Sequence, residues 1–588
     1  MTDIPGDSRA AETRPDGPPA PENVFDLIVI GAGINGAGIA RDAAARGLRV
    51  ALVEKEDIGS GTSSWSGRLI HGGLRYLEQG DVALVRESLR ERERLFRLAP
   101  HLVKPVPLMI PFYRHNRRSR WMIRAGMVTY DVLSFDKSTH SHKVLSRKET
   151  LDRFPGMDPD GLEGCAIFMD GQVVWSERLC VEVALAARAD GARIFTHAKV
   201  DGFLEEGGSV GGVLFTDVLT GERHALSASV VVNAAGPWVD MVLDGSSGGT
   251  ERHIGGAKGS HLVVDPFPGA PKDVIYYESR ADGRLVLVIP WGERYLIGTT
   301  DKRYADDPDT ACADASEVEY LLGEVNQLIP SAGLTEDDIL YTYSGVRPLP
   351  FVPDKSEWKV PRSHVLHDHA PRCRGLLSVI GGKLTTYRSL AEEAVDEIYR
   401  QLGKKAPPCS TSRTLFPGAR VGDWNAFRKG LERGGAAAPA TMHRLVETYG
   451  ARAADILALA HEHPDLAEVF DPETGALGAE LVFTYRNEFC RTLTDALIRR
   501  VMVGLNSTCG RAALDRAADI LARHLGWSEQ RRADEVRDYL RYIRRFDVPG
   551  RSDLPRMAAA PAAGAPSPAV PDTTAARIDT RHFGGQTT

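Results

Sequence analysis

The sequence has few cysteines, no long apolar run and no excess of basic residues. Its seven cysteines are scattered and never spaced Cys-x-x-Cys, which argues against a disulfide framework or a zinc ribbon and indicates reduced thiols in a cytosol. Lysine and arginine number 72 against 79 acidic residues, a net charge of −7, whereas nucleic-acid-binding proteins usually carry a basic excess. The longest apolar stretches, around residues 27–40 and 229–239, are short and broken by glycine. We therefore expect no bilayer span, no nucleic-acid partner and no metal site, in a protein that is soluble or at most attached to a membrane surface.

The chain of 588 residues is too long for one compact core, and its composition changes along its length. Residues 1–23, rich in Pro, Asp and Ala, predict a disordered leader rather than a signal peptide. Residues 24–405 alternate β-rich runs, glycine turns and amphipathic helices, as an α/β fold does. Residues 412–548 are rich in Ala, Leu and Arg at helical spacing and predict a separate helical domain. The Ala/Pro-rich residues 549–588 predict a disordered tail.

A dinucleotide-binding pattern opens the α/β part. A buried strand over residues 25–30 runs directly into the G-x-G-x-x-G sequence of Gly31, Gly33 and Gly36, and a helix and a second strand follow, ending at Glu54. Gly31 permits the tight turn, Gly33 lets the backbone approach a pyrophosphate, and Gly36 lets the helix pack on the strand. The helix N-terminus faces the phosphates, and Glu54 accepts hydrogen bonds from a ribose hydroxyl. The full order of these elements, rather than the glycines alone, is what makes the pattern specific.

Later motifs narrow the class of protein. They are SSWSGRLIHGGLRYLE at 63–78, VVNAAGPW at 231–238, KGSH at 258–261, IPW at 289–291, GTTD at 298–301, YSGVRPL at 343–349, IGGKLTTYR at 380–388, LFPG at 415–418 and RNE at 486–488, with TDAL and RR following. Together, over about residues 24–545, they resemble the FAD-dependent glycerol-3-phosphate dehydrogenases, within the glycine/D-amino-acid-oxidase-like flavoproteins. The resemblance implies an α/β fold, a Rossmann-like FAD-binding domain with an antiparallel-sheet substrate domain, discontinuous within residues 24–405, plus a C-terminal all-helical domain.

The activity that the resemblance implies is oxidation of sn-glycerol 3-phosphate to dihydroxyacetone phosphate. A hydride passes from C2 to flavin N5, and the electrons go on to a quinone. The alternatives are an oxidase that uses oxygen, an amine or hydroxy-acid oxidase of the same superfamily, and a flavin-binding interaction protein with a dead site. Two arginines and a lysine in the motifs favour a dianionic phosphate substrate and argue against a dead site.

The same resemblance assigns residues to the FAD. They are Gly31, Gly33, Asn35, Gly36, Glu54, Lys55, Thr62, Ser63, Ser64, His71, Gly72, Gly73, Leu74, Val200, Ala234, Ala235, Gly236, Trp238, Gly345, Gly382, Lys383, Leu384 and Thr385.

Five residues are the candidates for the substrate and the chemistry. Arg75 and Arg347, each in a glycine-bordered motif, are the first choices for the phosphate, because arginine forks match phosphate oxygens. Lys383 either steadies negative charge on the reduced flavin or shares the phosphate. His261 is the preferred base for the hydroxyl proton and also a substrate contact, and His71 is the alternative base unless it packs on the flavin ring.

A basic segment over residues 113–127 interleaves arginines with Trp, Met and Ile. Such a segment lies in an anionic lipid surface with its apolar side down, and the alternative is an ordinary solvated face. Since the net charge is negative, the attraction to lipid has to be local. We expect peripheral attachment to the cytoplasmic face of the inner membrane, access to a quinone there, and a possible homodimer.

Overall fold

The computed structural model describes residues 23–244, 246, 251–353 and 363–551. The predicted leader over residues 1–23 lies outside the described residues except for Asn23. The predicted tail over residues 549–588 lies outside them from residue 552 onward. The domain boundaries at 24–405 and 412–548 stay a prediction.

The secondary structure alternates strands and helices in the first part of the chain and is mostly helical in the last. The strands are β1 (Val24–Ile30), β2 (Val50–Val53), β3 (Leu69–Ile70), β4 (Val103–Tyr113), β5 (Lys143–Ser146), β6 (Leu162–Val173), β7 (Arg193–Phe195), β8 (Ala198–Glu206), β9 (Ser209–Asp217), β10 (Arg223–Asn233), β11 (Ala257–Val264), β12 (Val274–Glu278), β13 (Leu285–Trp291), β14 (Arg294–Gly298), β15 (Lys302–Arg303), β16 (Ile339–Arg347), β17 (Val365–Asp368), β18 (Leu376–Ile380), β19 (Val469–Asp471) and β20 (Ala476–Leu477). The α-helices are α1 (Ile34–Ala45), α2 (Val82–Leu98), α3 (Arg120–Leu133), α4 (Arg147–Arg153), α5 (Ser176–Ala189), α6 (Val239–Leu243), α7 (Ala315–Leu328), α8 (Tyr387–Gln401), α9 (Trp424–Arg433), α10 (Pro439–Tyr449), α11 (Ala453–Glu462), α12 (Gly478–Asn487), α13 (Leu493–Arg499), α14 (Leu514–Leu525) and α15 (Glu529–Tyr542).

A parallel sheet forms the nucleotide-binding half. Its strand order is β17-β18-β10-β1-β2-β7, with the β8–β9 hairpin attached to β10 and with β17 antiparallel at one edge. Leu27, Ile28 and Val29 of β1 are fully buried because helices or strands cover both faces of a central parallel strand. The carboxyl ends of β1, β2, β10 and β18 therefore meet at one edge, and the loops that leave those ends form the site. The predicted Rossmann-like fold is confirmed.

The second sheet is mainly antiparallel and carries the predicted substrate half. Its order is β15-β11-β14-β13-β12-β4-β6-β3, with β16 paired to β11 and β5 paired to β6. Two of its strands that are neighbours in sequence, β13 and β14, form a hairpin, as do β9 and β10 of the first sheet. Strand β11 is buried along its whole length between β14 and β16, which brings its residue His261 opposite Gly298 and Tyr343.

The C-terminal part is helical, as predicted, apart from the short β19–β20 hairpin. Its α13 ends at Arg499, and the chain turns through a left-handed Met502. The turn places both Arg499 and Arg500 in buried ion pairs with Asp57, at 2.6 and 2.7 Å. No helix in the described part of the chain has both the length and the apolar character that a bilayer span requires.

Candidate active site

A cleft of about 420 Å³ opens at the edge where the carboxyl ends of the parallel strands meet. Fifteen of the predicted cofactor residues line it: Gly31, Gly33, Asn35, Glu54, Lys55, Thr62, Ser63, Val200, Ala234, Ala235, Gly236, Trp238, Gly382, Lys383 and Leu384. They come from five separate stretches of the chain, which the sheet brings to one edge. Such an edge is where doubly wound α/β folds bind nucleotides.

The three glycines of the loop have different physical tasks. Gly31 has a φ of +97°, and a Cβ there would lie 2.7 Å from the carbonyl oxygen of Ala234. A Cβ on Gly36 would overlap the carbonyl oxygen of Gly31. Gly33, with an ordinary φ of −64°, would bring its Cβ only to 3.4 Å from Ser63 Oγ. Gly31 and Gly36 thus serve the packing of the loop, whereas the missing side chain of Gly33 leaves the cleft open.

Glu54 lies at the end of β2 and anchors the glycine loop. Its Oε2 accepts a hydrogen bond from the Ala32 amide at 2.7 Å, and its Oε1 accepts one from the Glu56 amide at 3.0 Å. Burial raises the pKa of Glu54 to about 6. Because a carboxylate oxygen has two lone pairs, each oxygen keeps acceptor capacity for a ribose hydroxyl.

Two buried polar atoms of the cleft indicate that it binds a ligand. Asn35 Oδ1 and Trp238 Nε1 are buried without a hydrogen-bond partner among the residues that the structure describes. Asn35 uses only its amide nitrogen, which donates to the Gly381 carbonyl at 3.3 Å. Buried polar atoms normally have partners, so these two point to a polar ligand. Together with the helix N-terminus and the carboxylate of Glu54, they fit a dinucleotide such as FAD.

Eight other predicted cofactor residues do not line the cleft: Gly36, Ser64, His71, Gly72, Gly73, Leu74, Gly345 and Thr385. Several of them have local partners instead. The Ser64 hydroxyl donates to the Gly59 carbonyl at 2.6 Å, and the Gly72 amide donates to Tyr130 Oη at 3.1 Å. The role of these eight residues as direct cofactor contacts stays a prediction.

Three of the five candidate catalytic and substrate residues lie around the ring of Tyr76. Lys383 Nζ lies 3.6 Å from the centroid of the Tyr76 ring, and the Arg75 guanidinium lies 5.7 Å from it. His71 stacks against the same ring with the centroids 6.4 Å apart. Burial lowers the pKa of His71; Asp170 opposes this and the charges of Lys383 and Arg75 add to it, which leaves the pKa at about 4. This histidine is therefore neutral at physiological pH.

Arg347 lies at the end of β16, directly before Pro348, which lines the cleft. Its guanidinium donates to Asp301 Oδ1 at 3.1 Å and to Thr299 Oγ1 at 2.9 Å. Asp301 also acts electrostatically on Arg75. Burial lowers the pKa of Arg75, but neighbouring groups, Asp301 among them, outweigh burial and raise that pKa above its usual value. Asp301 is thus paired with Arg347 and contributes to the electrostatic environment of Arg75.

His261 is buried, with 2% of its surface exposed, and stacks on Tyr343 at 4.8 Å between ring centroids. Both of its ring nitrogens are without a hydrogen-bond partner within the described part of the chain. Burial lowers the pKa of His261 to about 3, and the positive charges of Arg347 and Arg68 add to this effect. The ring is therefore neutral, and one of its nitrogens has a lone pair that can accept a hydrogen bond.

Sequence reasoning missed the residues that connect these groups. Tyr76, Asp301 and Tyr343 lie inside the motifs at 63–78, 298–301 and 343–349. Those motifs mark all three as candidates for the site but do not indicate what each residue does. Asp309 had no signal: its carboxylate reaches Lys55 Nζ at 2.5 Å from a loop that precedes α7. Only the fold brings these two residues to the same wall of the cleft.

Comparisons with known proteins agree with this geometry. The model of the FAD dependent oxidoreductase family matches residues 26–388, and a model described as the C-terminal domain of alpha-glycerophosphate oxidase matches residues 409–532. The chain is 44% identical over 545 residues to glycerol-3-phosphate dehydrogenase from Synechocystis sp., covering 90% of this chain and 98% of that protein. It is 34% identical over 487 residues to aerobic glycerol-3-phosphate dehydrogenase from Staphylococcus haemolyticus, covering 81% of this chain and 86% of that protein.

A solved structure is similar over nearly the same length. Glycerol-3-phosphate dehydrogenase from Bacillus halodurans, complexed with FAD, matches with a TM-score of 0.73 at 28% identity and covers 89% of this chain and 95% of that chain. The predicted fold and the predicted cofactor, FAD, are confirmed. Since the matches extend over both the α/β part and the helical part, the chain belongs to the family of FAD-dependent glycerol-3-phosphate dehydrogenases and oxidases.

Proposed function

We propose that this protein oxidises sn-glycerol 3-phosphate to dihydroxyacetone phosphate and passes the electrons to a quinone. The observation that carries the proposal is the set of three cationic side chains, Arg75, Arg347 and Lys383, beside a cleft that fits FAD. A phosphate dianion is the substrate group that best matches two guanidinium forks and an ammonium. When bound in the cleft, FAD supplies the hydride acceptor for C2 of the substrate.

Arg347 and Arg75 hold the phosphate in this proposal, and Asp301 is a positioning residue. In the ligand-free protein, Asp301 and Thr299 fix the Arg347 guanidinium in place. A fixed guanidinium loses less conformational entropy when the phosphate binds, which improves affinity. Lys383 lies at the cleft wall, where its charge steadies negative charge that develops during the reaction.

His261 is the base in this proposal. Its ring is neutral, and its two nitrogens have no partner among the described residues. Binding of the phosphate dianion offsets the positive charge of Arg347, which is one cause of the low pKa of His261, so the affinity of His261 for a proton rises when substrate arrives. The substrate hydroxyl then transfers its proton to His261.

An anaerobic visible spectrum of the purified holoprotein tests the substrate and the base together. Addition of sn-glycerol 3-phosphate should bleach the flavin band rapidly. His261→Asn should slow the bleaching by about 100-fold or more, the usual contribution of a general base, whereas His71→Asn should slow it much less. Equal losses in both variants would contradict the assignment of His261. A band that persists in the wild-type protein would exclude this substrate.

Helix α3 supports attachment to a membrane surface. Its inner face buries Ile123, Met127 and Tyr130. A second apolar stripe, spaced by four, three and four residues, faces solvent: Trp121, Ala125, Val128 and Val132, with Trp121 63% exposed and Val132 66% exposed. A helix of a globular protein usually has a single apolar stripe. The second stripe, flanked by arginine, is what an interfacial helix offers to lipid.

The arginines around helix α3 do not all face solvent, as a lipid-binding basic segment would require. Arg120 and Arg124 are exposed, and their guanidiniums lie 5.0 and 5.3 Å from the Trp121 ring. Arg118 is instead held in ion pairs with Glu78 at 2.5 Å and Glu278 at 2.8 Å. Arg118 therefore supports the local fold, and Arg120 and Arg124 supply the positive charge that faces lipid.

The same helix connects the exposed stripe to the site. The Tyr130 hydroxyl on its inner face accepts a hydrogen bond from the Gly72 amide, in the motif that carries His71 and Arg75. A quinone dissolved in the lipid would therefore approach the enzyme close to the catalytic motif. The cysteines are free thiols, in keeping with the cytoplasmic face of the inner membrane.

Co-sedimentation with vesicles of zwitterionic and anionic phospholipid tests the attachment. The triple variant Trp121→Ser, Val128→Ser and Val132→Ser should lose most of its binding, because the apolar area is removed. The matched control is Val218→Ser with Leu219→Ser, which removes exposed apolar side chains from another surface and should leave binding unchanged. Unchanged binding of the α3 variant would reject the stripe as the attachment surface.

Reoxidation of the reduced enzyme decides between the two acceptors. A short-chain quinone should restore the flavin spectrum much faster than dissolved oxygen does, at equal concentrations. Rapid reoxidation by oxygen with release of peroxide would instead assign the oxidase activity.

A further inference from the structure

Three histidines meet at the edge of the parallel sheet, away from the groups used above. His367 lies on the edge strand β17, His369 follows two residues later, and His253 lies in the segment before β11. Residues two apart on a strand point to the same face. One ring nitrogen from each histidine lies within 4.8 Å of the other two, and the ring centroids are 4.6, 4.6 and 5.6 Å apart.

The three rings are arranged as ligands rather than as ion-pair partners. None of them forms an ion pair with a carboxylate of the described residues, unlike the neighbouring His364, whose Nε2 lies 2.9 Å from Glu393 Oε2. The three imidazoles are therefore not committed to a carboxylate, and each has a ring nitrogen that can offer a lone pair to a metal ion.

The surrounding residues hold the ring of His369 and the backbone of His253 in position. His369 Nε2 lies 2.8 Å from Ser378 Oγ, which leaves Nδ1 of that ring for a metal. The His253 amide donates to the Asp240 carboxylate at 3.0 Å, and the His253 carbonyl accepts from the Phe351 amide at 2.8 Å. A hydrogen bond to the second nitrogen of a ligating histidine is the usual feature of a metal site, because it fixes the tautomer and the ring plane.

We propose that His253, His367 and His369 bind one divalent transition-metal ion of the zinc class, with water completing the coordination. Imidazole nitrogen selects zinc, copper or nickel over magnesium and calcium, which prefer oxygen. Zinc–nitrogen bonds of about 2.0–2.1 Å would bring the ligand atoms to about 3.3 Å from one another, which side-chain rotation achieves from the present spacing.

The metal would tie the segment that holds His253 to the edge of the nucleotide-binding sheet. Strand β17 pairs with β18, and β18 ends at Ile380, directly before Gly382 and Lys383 of the cleft. The metal takes no part in the oxidation, so this inference does not depend on the proposed substrate. Its expected effect is on the stability of the sheet edge.

Isothermal titration of Zn²⁺ into the tag-free, chelator-treated holoprotein tests the site. One ion should bind per chain with a dissociation constant of micromolar or below. His367→Ala and His369→Ala should each weaken binding by at least 10-fold, and Ser378→Ala should weaken it by about 10-fold through the lost support of His369. His364→Ala, which removes a nearby imidazole outside the cluster, is the matched control and should bind like the wild type.

A second measurement guards against variants that fold poorly. His367→Gln and His369→Gln keep a polar side chain of similar size, and far-UV circular dichroism and the flavin spectrum verify their fold. Zn²⁺ should raise the melting temperature of the wild type and of His364→Ala but not of the glutamine variants. Binding of less than one ion per wild-type chain at micromolar Zn²⁺ would overturn the proposal, as would binding that survives the loss of all three histidines.

Discussion

Two glycines three residues apart, Gly33 and Gly36, give a paired test of how the glycine loop works. Gly33 has a φ of −64° and a ψ of 175°, which any residue adopts, and its added Cβ would lie 3.4 Å from Ser63 Oγ. Gly36 lies inside α1, and its added Cβ would overlap the carbonyl oxygen of Gly31. A side chain at Gly33 therefore enters the cleft, whereas a side chain at Gly36 pushes against the backbone of the loop.

The expected magnitudes follow from these two geometries. For Gly33→Val, the fold should lose no more than about 1 kcal/mol, since the position is a helix N-cap of extended conformation. The dinucleotide phosphate would lose at least one charge-assisted hydrogen bond, worth about 1.5–3 kcal/mol, which corresponds to about 10- to 150-fold weaker FAD binding. For Gly36→Ala, the overlap costs about 3 kcal/mol and the gain in helix propensity returns about 1 kcal/mol, so about 2 kcal/mol of stability should be lost.

The assay compares both variants in two forms. FAD affinity is measured by flavin fluorescence on reconstitution, and the free energy of unfolding is measured by urea titration of the FAD-free protein. We expect Gly33→Val to be colourless after purification but as stable as the wild-type apoprotein, and Gly36→Ala to be destabilised in both forms. Wild-type FAD affinity in Gly33→Val would refute the assignment of the cleft. Equal destabilisation of the two apoproteins would refute the separation of roles.

Three further predictions concern charged groups. Arg347→Ala should lower kcat/KM by a factor that corresponds to about 2–4 kcal/mol of transition-state binding, as the loss of a charged partner does. Steady-state kinetics that match the wild type would show that this arginine does not bind the substrate. Burial opposes charging of His197, but the Asp495 carboxylate at 2.9 Å outweighs it and raises the pKa of His197. The stability from this pair is therefore complete below a pH of about 6.5 and is lost as the pH rises through the raised folded pKa. In urea titrations from pH 6 to 9, His197→Gln should flatten that decline, and an unchanged slope would exclude the pair as its cause. Arg178→Met leaves the fully buried Glu488 without one of its ion-pair partners, so the free energy of unfolding should fall by about 3 kcal/mol, and an unmoved denaturation midpoint would contradict this.

Much of the nucleotide-binding half could be predicted because its signals are local. The strand before Gly31, the helix after Gly33 and the strand that ends at Glu54 are contiguous, and each is fixed by its own periodicity and turn residues. The β9–β10 and β13–β14 hairpins follow from short patterns in the same way. The candidate site residues inside motifs have equally local signals, and their roles stay predictions.

Other features depended on contacts that no local pattern encodes. The Ser64 hydroxyl donates to the Gly59 carbonyl, a contact that its motif does not indicate, and contact of Ser64 with the cofactor stays a prediction. Arg118 was grouped with surface cations, but Glu78 and Glu278 hold it. In each case the residue type was right for the expected role, and the orientation of the side chain was set by neighbours that the packing supplies.

The sequence by itself determined the order of the elements, the glycine loop and the family, since those depend on short runs of residues read in sequence. The tertiary structure alone decided which charges are buried as pairs, as with Arg68 and Glu177 at 2.8 Å and full burial, and which histidines meet at the sheet edge. A buried charge must find its partner wherever the packing of the sheets and helices brings one, because a buried unpaired charge is strongly unfavourable. That partner lies at a sequence distance set by topology, which periodicity and spacing do not record.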